Sequence, residues 1–352
     1  MTKIDPRLSL DQPLPWGQVL VAGIPGCQVD PVVEHLLMDL KVGGIILFRR
    51  NLGSPRQVAQ LTRDLQKLSL AATGSSLLIA IDQEGGPVQR LQSPFTQMPA
   101  AQELGQQDNP RAVESLATRL ARELRLVGIN MNLAPVLDVA RGPDSPLWER
   151  SYGAEPDKVA RLGLAALRGF WAGGVIPVAK HFPGLGHTTL DSHRDTPTVQ
   201  GEARDRQQDL FPFRQAVAAG APVIMSAHVL VPGWDKQPAT LSRKILTERL
   251  RGQLGFQGLI ITDDLEMGGI TQYCPLAQAA PQALAAGADL LLICEHQEAI
   301  TQAHTALANS TGLDMRLRES LQRIQHLKQR FPYTPIDPEA VQAYFNAAGG
   351  KD

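Results

Sequence analysis

The sequence predicts an α/β protein in which eight strand–helix units close into one barrel. Short runs rich in Val, Ile and Leu recur along the chain, and each precedes a turn and a longer stretch with helical periodicity. The runs are continuously apolar, as expected for parallel strands that are covered on both faces. The length of 352 residues is compatible with a single barrel domain.

The elements follow in order. Eight predicted strands lie at 19–24, 44–48, 77–82, 129–135, 175–181, 223–228, 259–264 and 290–294. Amphipathic stretches between them predict helices at 55–69, 111–127, 156–172, 204–219, 242–253 and 276–286, with an additional helix at 315–330. Long connections follow the third and the fifth strand, and long loops in a compact domain are usually functional.

Right-handed crossovers between such units favour a closed (β/α)8 TIM barrel. The alternative is an open doubly wound sheet, for which a glycine-rich phosphate turn should follow the first strand. The segment Ala-Gly-Ile-Pro-Gly at 22–26 lacks that G-x-G-x-x-G spacing. We therefore expect one domain over 1–352, with the barrel at about 18–310 and a C-terminal helix and tail at about 311–352.

Composition excludes several classes of partner. The chain has 34 Lys and Arg against 35 Asp and Glu, and it lacks a basic run, so nucleic acid is not an expected partner. Neither an export signal nor an apolar stretch of about 18 residues is found, which predicts a cytoplasmic protein without a membrane partner. The three cysteines are odd in number and widely spaced. We expect no disulfide framework, no metal and no cofactor.

Polar residues end several of the predicted strands. Catalytic residues of a barrel lie at the carboxyl ends of its strands, so these side chains should meet at one mouth. The residues that end the third, fifth, sixth and seventh strands are Asp82, Lys180, His181, His228, Asp263 and Asp264.

Asp263 is the candidate nucleophile. The cations Arg90, Arg150 and Lys180 would keep its carboxylate ionised and available for attack. A strand-terminal aspartate can instead cap the next helix, and for Asp264 this alternative stays open. Lys180 could also form the Schiff base of an aldolase, although a lysine among carboxylates is more simply a substrate clamp.

Asp191 and His193 lie two residues apart in the long connection after the fifth strand. A carboxylate at that spacing can orient the imidazole and raise its pKa, which suits a general acid or base. Two alternatives remain. Asp191 can merely close an Asx-turn, or His181, His187 and His193 can bind a metal with Asp263, although their spacing matches no compact zinc motif.

The residues together resemble the family 3 glycoside hydrolases, and within them the single-domain bacterial β-N-acetylglucosaminidases of cell-wall recycling. The resemblance spans about 19–294. The matching segments are Asp82-Gln-Glu-Gly-Gly-x-Val-Gln-Arg90-Leu, Asn132-Leu-Ala-Pro-Val-Leu-Asp138, Glu149-Arg150-Ser-Tyr-Gly153, Lys180-His-Phe-Pro-Gly184, Asp191-Ser-His193, Ser226-Ala-His228-Val, Pro238-Ala-Thr-Leu-Ser242, Leu254-Gly-Phe-x-Gly258 and Thr262-Asp-Asp-Leu-x-Met267.

The resemblance implies retaining hydrolysis with Asp263 as the nucleophile, through a covalent glycosyl-enzyme intermediate. In this subgroup the histidine of Asp-Ser-His is the general acid and base, here His193, with Asp191 orienting it. Family 3 β-glucosidases generally carry additional domains, for which the chain after Cys294 has no room. Asp191-Ser-His193 therefore favours the hexosaminidase branch.

The resemblance also implies a substrate: terminal non-reducing N-acetylglucosamine, removed from peptidoglycan-derived muropeptides. The residues expected to hold the sugar are Asp82, Arg90, Arg150, Lys180 and His181, with His228 and Met267 lining the pocket. The chain departs from the family at Leu185, where a histidine is usual, at His187, and at Pro87, where arginine is common. Two other functions stay open: a β-glucosidase or β-xylosidase, and a catalytically silent sugar-binding barrel.

Overall fold

A computed structural model describes residues 14–186, 188, 196–199 and 202–349. Eight parallel strands there close into a ring in chain order, which confirms the predicted (β/α)8 TIM barrel. Pairing of the first strand with the last, Leu20 opposite Leu291, completes the ring. The strands, each overlapping a predicted run, are β1 (Leu20–Gly23), β2 (Gly44–Leu47), β3 (Leu78–Ile81), β6 (Met131–Asn132), β7 (Ile176–Phe182), β8 (Val223–Ser226), β9 (Leu259–Asp264) and β10 (Leu290–Ile293).

The connection after β3, which is predicted as a long loop, contains a small hairpin. It consists of β4 (Gln83–Gly85) and β5 (Val88–Gln89), paired antiparallel. Because it follows β3 directly, the hairpin lies at the carboxyl end of that strand.

Helices surround the strands. They are α1 (Pro31–Glu34), α2 (Pro55–Thr73), α3 (Ala101–Gln107), α4 (Pro110–Leu126), α5 (Pro156–Ala172), α6 (Ala203–Ala218), α7 (Gly268–Thr271), α8 (Leu276–Ala286), α9 (Gln297–Ala308), α10 (Asp314–Arg330) and α11 (Pro338–Gly349). Segments His35–Asp39 and Lys244–Gln253 are π-helical, and Trp16–Val19, Arg49–Asn51 and Ala239–Leu241 form 3-10 turns. None of the helices in the described ranges has the length and apolar character needed to cross a bilayer.

Burial on both faces explains why the strands are continuously apolar in the sequence. Every residue of β1, β2, β3, β8 and β10 is buried, because side chains on one face fill the barrel and those on the other meet the helices. At the amino end of the strands, the fully buried Asp289 accepts hydrogen bonds from Arg316 (2.6 Å) and Arg323 (3.1 Å) of α10 and pairs with Arg251. This cluster fixes α10 to the barrel.

Two helices that the sequence analysis did not assign complete the outer layer. Helix α9 supplies the helix of the eighth unit, after β10. Helix α11 returns the tail to α2, where Arg56 pairs with Glu339, and its Phe345 ring lies 4.6 Å from that of Phe95 in the connection before α3.

Candidate active site

Gln83 folds the connection after β3 back onto the barrel mouth. Its side-chain oxygen accepts from the main-chain N–H of Arg90 (2.8 Å) and Leu91 (3.0 Å), and its amide nitrogen donates to the Leu91 carbonyl (3.0 Å). Arg90 thereby reaches Asp82, with 3.4 Å between Nη2 and Oδ2. Gln83 is fully buried, so its hydrogen bonds fix the loop in the conformation that brings Arg90 to Asp82.

Glycines are required at the tip of this hairpin. Gly85 has φ of 117° and Gly86 has φ of 52°, in the region that side chains rarely adopt. A Cβ on Gly85 would lie 2.4 Å from the Pro99 carbonyl oxygen, and one on Gly86 would lie 2.6 Å from Ala100 Cβ. The Gly-Gly pair therefore follows from backbone geometry, and the neighbouring Pro87 is exposed.

Three side chains form a buried ionic network beside Asp82. Lys180 Nζ lies 2.8 Å from Asp82 Oδ1 and 2.6 Å from Glu84 Oε1. Arg150 donates two hydrogen bonds to Glu84, at 2.9 Å and 2.8 Å. The Lys180 and Glu84 side chains are only 3% and 6% exposed. The end of β3, the hairpin strand β4, strand β7 and the segment before α5 thus meet at one ionic network.

The network keeps its members charged. Burial alone would raise the pKa of the Glu84 carboxyl, but Arg150 and Lys180 hold it far below its usual value. Burial likewise opposes the charge on Lys180, yet the carboxylates of Asp82 and Glu84 raise the pKa of its ammonium. These groups therefore offer fixed hydrogen-bond donors and acceptors to a polar ligand at neutral pH.

His181 is oriented by Asp138. Its Nδ1 lies 2.7 Å from Asp138 Oδ2, and its main-chain N–H donates to the same oxygen at 3.1 Å. The other Asp138 oxygen accepts from the Leu185 N–H at 2.7 Å. Because a carboxylate accepts, the imidazole nitrogen Nδ1 donates its hydrogen to Asp138 in this contact. Asp138 is completely buried, so the ring is held in one orientation.

His228 holds the main chain next to Asp263. Its Nε2 lies 2.8 Å from the Asp264 carbonyl oxygen and its Nδ1 lies 2.9 Å from Thr240 Oγ1. A carbonyl oxygen can only accept, so Nε2 carries a hydrogen. The Asp264 N–H in turn donates to Asp263 Oδ1 at 2.9 Å. His228 is fully buried and contributes to the position of Asp263 through the Asp264 peptide unit.

Asp263 stands at the carboxyl end of β9 and is partly exposed. Burial opposes its charge, but the proximity of His181 and His228 outweighs this and lowers the pKa of its carboxyl below the usual value. The Asp264 N–H and Lys180 act in the same direction. The carboxylate therefore stays ionised at neutral pH, as a nucleophile requires.

Asp264 has the opposite environment. Burial, with the nearby carboxylates of Glu266 and Asp263, raises the pKa of its carboxyl to about 7. Its Oδ1 accepts from the Glu266 N–H at 3.1 Å, two residues further on, which is the geometry of an Asx-turn. The N-cap residue of the next helix, α7, is Met267, so Asp264 is not the helix cap that the alternative predicted. Its carboxylate closes a turn that precedes this helix.

The predicted residues are brought together at this mouth as far as the structure describes them. Asp82, Arg90, Arg150 and Lys180 share one ionic network, but they surround Asp82 and Glu84 more closely than Asp263. Met267 is buried, and its N–H donates to the Asp264 carbonyl at 3.0 Å.

Asp191, His193 and His187 lie outside the described residues. Among the residues described, His, Cys, Asp and Glu form no group of three that could hold a metal.

Glu84 and Asp138 belong to the site although sequence reasoning did not select them. Both lie inside segments that carry the family resemblance, and each follows or sits beside a predicted strand. The sequence feature that could have identified them is a carboxylate close to the end of a predicted strand, within a segment whose other residues are mostly glycine or apolar. What marks them in the structure is burial together with two or more hydrogen bonds.

Comparison with known proteins places this site in a family. The model of the glycosyl hydrolase family 3 N-terminal domain matches residues 16–327. A β-hexosaminidase of Thiobacillus denitrificans is 40% identical over 285 residues, which cover 79% of this chain and 77% of that protein. A β-hexosaminidase of Pseudomonas aeruginosa is 37% identical over 311 residues, covering 87% and 90%.

Solved structures agree with these relatives. A family 3 β-N-acetylglucosaminidase from Paenibacillus sp. str. FPU-7 has a TM-score of 0.89 and 37% identity, covering 97% of this chain and 69% of its own. Native NagZ from Neisseria gonorrhoeae has a TM-score of 0.79 and 32% identity, covering 94% and 96%. The protein described here is a glycoside hydrolase and belongs to glycosyl hydrolase family 3.

Proposed function

We propose that this enzyme is a retaining exo-β-N-acetylglucosaminidase, which removes terminal non-reducing N-acetylglucosamine. The observation that carries the proposal is the environment of Asp263: an ionised carboxylate at the mouth of the barrel, held by the Asp264 N–H and close to Lys180 of the buried ionic network. The β-hexosaminidase and β-N-acetylglucosaminidase names of its relatives support the sugar specificity.

In the proposed reaction, Asp263 attacks the anomeric carbon while a general acid protonates the departing glycosidic oxygen. A glycosyl-enzyme ester forms on Asp263 and the aglycone leaves. The same group then takes a proton from water, which attacks the anomeric carbon and releases the sugar with retained configuration. We assign the acid and base role to His193 and the orientation of its imidazole to Asp191.

The sugar is held before the scissile bond. We assign its hydroxyl groups to Asp82, Arg90, Arg150, Lys180 and His181. Fixed, charged partners suit this task because a hydroxyl of the wrong configuration leaves one of them unpaired. Met267 lines the pocket, and His228 supports it from behind through the Asp264 carbonyl.

The natural substrates proposed here are muropeptides derived from peptidoglycan, cleaved in the cytoplasm by one barrel domain that spans 1–352. Cys27, Cys274 and Cys294 are free thiols, which is usual for proteins of a reducing compartment.

A chromogenic 4-nitrophenyl β-N-acetylglucosaminide assay tests the proposal. We expect turnover by the wild-type protein and a loss of at least about a thousandfold in Asp263→Asn, because the amide cannot form the ester intermediate. Asp39→Asn removes an exposed surface carboxylate far from the mouth and is the matched control. Turnover that is equal in wild-type and Asp263→Asn protein would contradict the enzymatic mechanism. Faster cleavage of the 4-nitrophenyl β-glucoside or β-xyloside would identify the 2-hydroxyl specificity instead.

A further inference from the structure

One side of the mouth contains an aromatic side chain that the proposed mechanism does not use. Phe48 directly follows β2, so it lies at the carboxyl end of that strand, and it is partly exposed. Two guanidinium groups lie over its ring: Arg50 Cζ is 4.8 Å from the ring centre, and Arg90 Cζ is 5.6 Å from it. Both distances are within the range of a cation–π contact.

Arg50 is held in place by the ends of two other strands. Its Nε donates to the Ile24 carbonyl at 2.9 Å, directly after β1, and its Nη2 donates to the Cys294 carbonyl at 2.7 Å, directly after β10. Its Nη1 lies 3.0 Å from both carboxylate oxygens of Glu295. The planar guanidinium is rigid, so these bonds in three directions fix its orientation beneath Phe48.

The main chain at Phe48 is fixed as well. Its N–H donates to Asn51 Oδ1 at 2.8 Å, and Asn51 Nδ2 donates to the carbonyls of Ile24 at 3.0 Å and Gly26 at 2.8 Å. Asn51 is fully buried, so its hydrogen bonds do not compete with water. The position of the Phe48 ring is therefore set by Asn51 on its main-chain side and by Arg50 on its ring side.

Arg90 is held less firmly than Arg50. Its Nη2 lies 3.4 Å from Asp82 Oδ2, which is long for a hydrogen bond. Its Nε is buried and has no hydrogen-bond partner among the residues that the structure describes. A buried donor without a partner costs free energy, which a bound acceptor such as a sugar hydroxyl would recover. The contact with the Phe48 ring holds the guanidinium without occupying its N–H groups.

We infer that Phe48 is a positioning residue of the sugar site: its ring, held by Arg50, orients the Arg90 guanidinium so that Nε is presented to a hydroxyl of the substrate. The inference rests on the proposed function, because it concerns the site that holds the sugar. Phe48 acts through Arg90 and not by its own contact with the sugar.

A double-mutant cycle with Arg90 tests the inference. The measured quantity is kcat/KM for 4-methylumbelliferyl β-N-acetylglucosaminide, whose fluorescent product makes weak activity measurable. Phe48→Leu keeps an apolar side chain and removes the ring, and we expect it to lower kcat/KM about fivefold in the wild-type background, the size of one cation–π contact. In the Arg90→Gln background the same change should lower kcat/KM less than about twofold, because the guanidinium that the ring orients is absent.

Two features separate this role from packing alone. The loss in Phe48→Leu should appear mainly as a higher KM, because a hydrogen bond made to both the bound substrate and the transition state contributes uniform binding. Phe48→Tyr keeps the ring and should retain kcat/KM to within about twofold. Phe211→Leu is the matched control: it changes a partly exposed phenylalanine of α6 that has the Arg214 guanidinium 5.7 Å from its ring, and it should keep wild-type kcat/KM.

Arg50→Gln leaves the Phe48 ring in place and removes the group that holds it. We expect KM to rise about two- to threefold in the wild-type background and to stay unchanged in the Arg90→Gln background. Urea unfolding of each variant shows whether the folded proteins are being compared.

Equal losses from Phe48→Leu in the wild-type and Arg90→Gln backgrounds, or no loss in the wild-type background, would overturn the positioning role and leave the proposed function intact. Wild-type protein that cleaves no β-N-acetylglucosaminide would instead refute the proposed function, and the positioning role with it.

Discussion

Glu84→Gln removes the carboxylate on which the ionic network depends. Glu84 accepts three short bonds, at 2.6 Å from Lys180 and at 2.8 Å and 2.9 Å from Arg150, with its side chain 6% exposed. A neutral amide at this position would leave Arg150 with one acceptor oxygen from residue 84 and Lys180 with the carboxylate of Asp82, so the pKa of the Lys180 ammonium should fall.

The expected loss in the free energy of unfolding follows from the burial of the Glu84 ion pairs with Lys180 and Arg150. Removing one partner of a buried ion pair costs about 3–5 kcal/mol, and because glutamine retains one acceptor we expect the lower end, about 3 kcal/mol. Lys180 and Arg150 would also lose the orientation that presents them to the sugar. We expect kcat/KM to fall about a hundredfold, which corresponds to about 2.7 kcal/mol of transition-state stabilisation.

Urea unfolding and the chromogenic assay measure the two effects separately. Glu114→Gln is the matched control, because it breaks a Glu–Arg pair of the same length, 2.9 Å to Arg168, whose side chains are 41% and 57% exposed. That change should cost less than about 1 kcal/mol. If Glu84→Gln unfolds at the wild-type urea concentration and keeps wild-type kcat/KM, the network does not act as described.

Three further outcomes are expected. Asp138→Asn weakens the hold on the His181 ring, and kcat/KM should fall about ten- to a hundredfold, measured with the chromogenic substrate. Because the folded-state pKa of Asp264 is raised to about 7, its protonated form favours the folded state: the free energy of unfolding should fall as pH rises from about 4 to 7, and urea titrations of Asp264→Asn should lack this contribution. Asp289→Ala leaves Arg316 and its neighbours without their buried partner, and urea unfolding should show a loss of about 3–5 kcal/mol, with kcat retained by the folded fraction.

The barrel could be predicted because each of its eight strands leaves the same local pattern in the sequence, a short apolar run. Strands buried on both faces must be apolar throughout, so each of the eight appears as a short Val, Ile and Leu run. The polar residues that break those runs at one end, such as Asp82, Lys180 and Asp263, were visible for the same reason. A residue that directly ends an apolar run must lie at the end of the corresponding strand, so its position in the barrel can be predicted from the sequence.

The network behind those residues could not be predicted from spacing. Glu84 contacts Arg150 across 66 positions, and Asp138 contacts His181 across 43. Such pairs depend on how strand ends are arranged around the ring and on a hairpin folded by Gln83, which no local pattern specifies. The same reason explains α11, which is held by contacts between residues far apart in the chain: Glu339 pairs with Arg56 of α2, and the Phe345 ring packs against Phe95.

In the proposed mechanism, Asp263 forms the covalent glycosyl-enzyme. Incubation with an activated 5-fluoro N-acetylglucosaminyl donor, followed by proteolysis and mass spectrometry, measures this directly. We expect one added sugar on the peptide that contains Asp263, with no adduct in Asp263→Asn. An adduct on another carboxylate, or turnover of the donor by the wild-type enzyme with no adduct at any time, would contradict it.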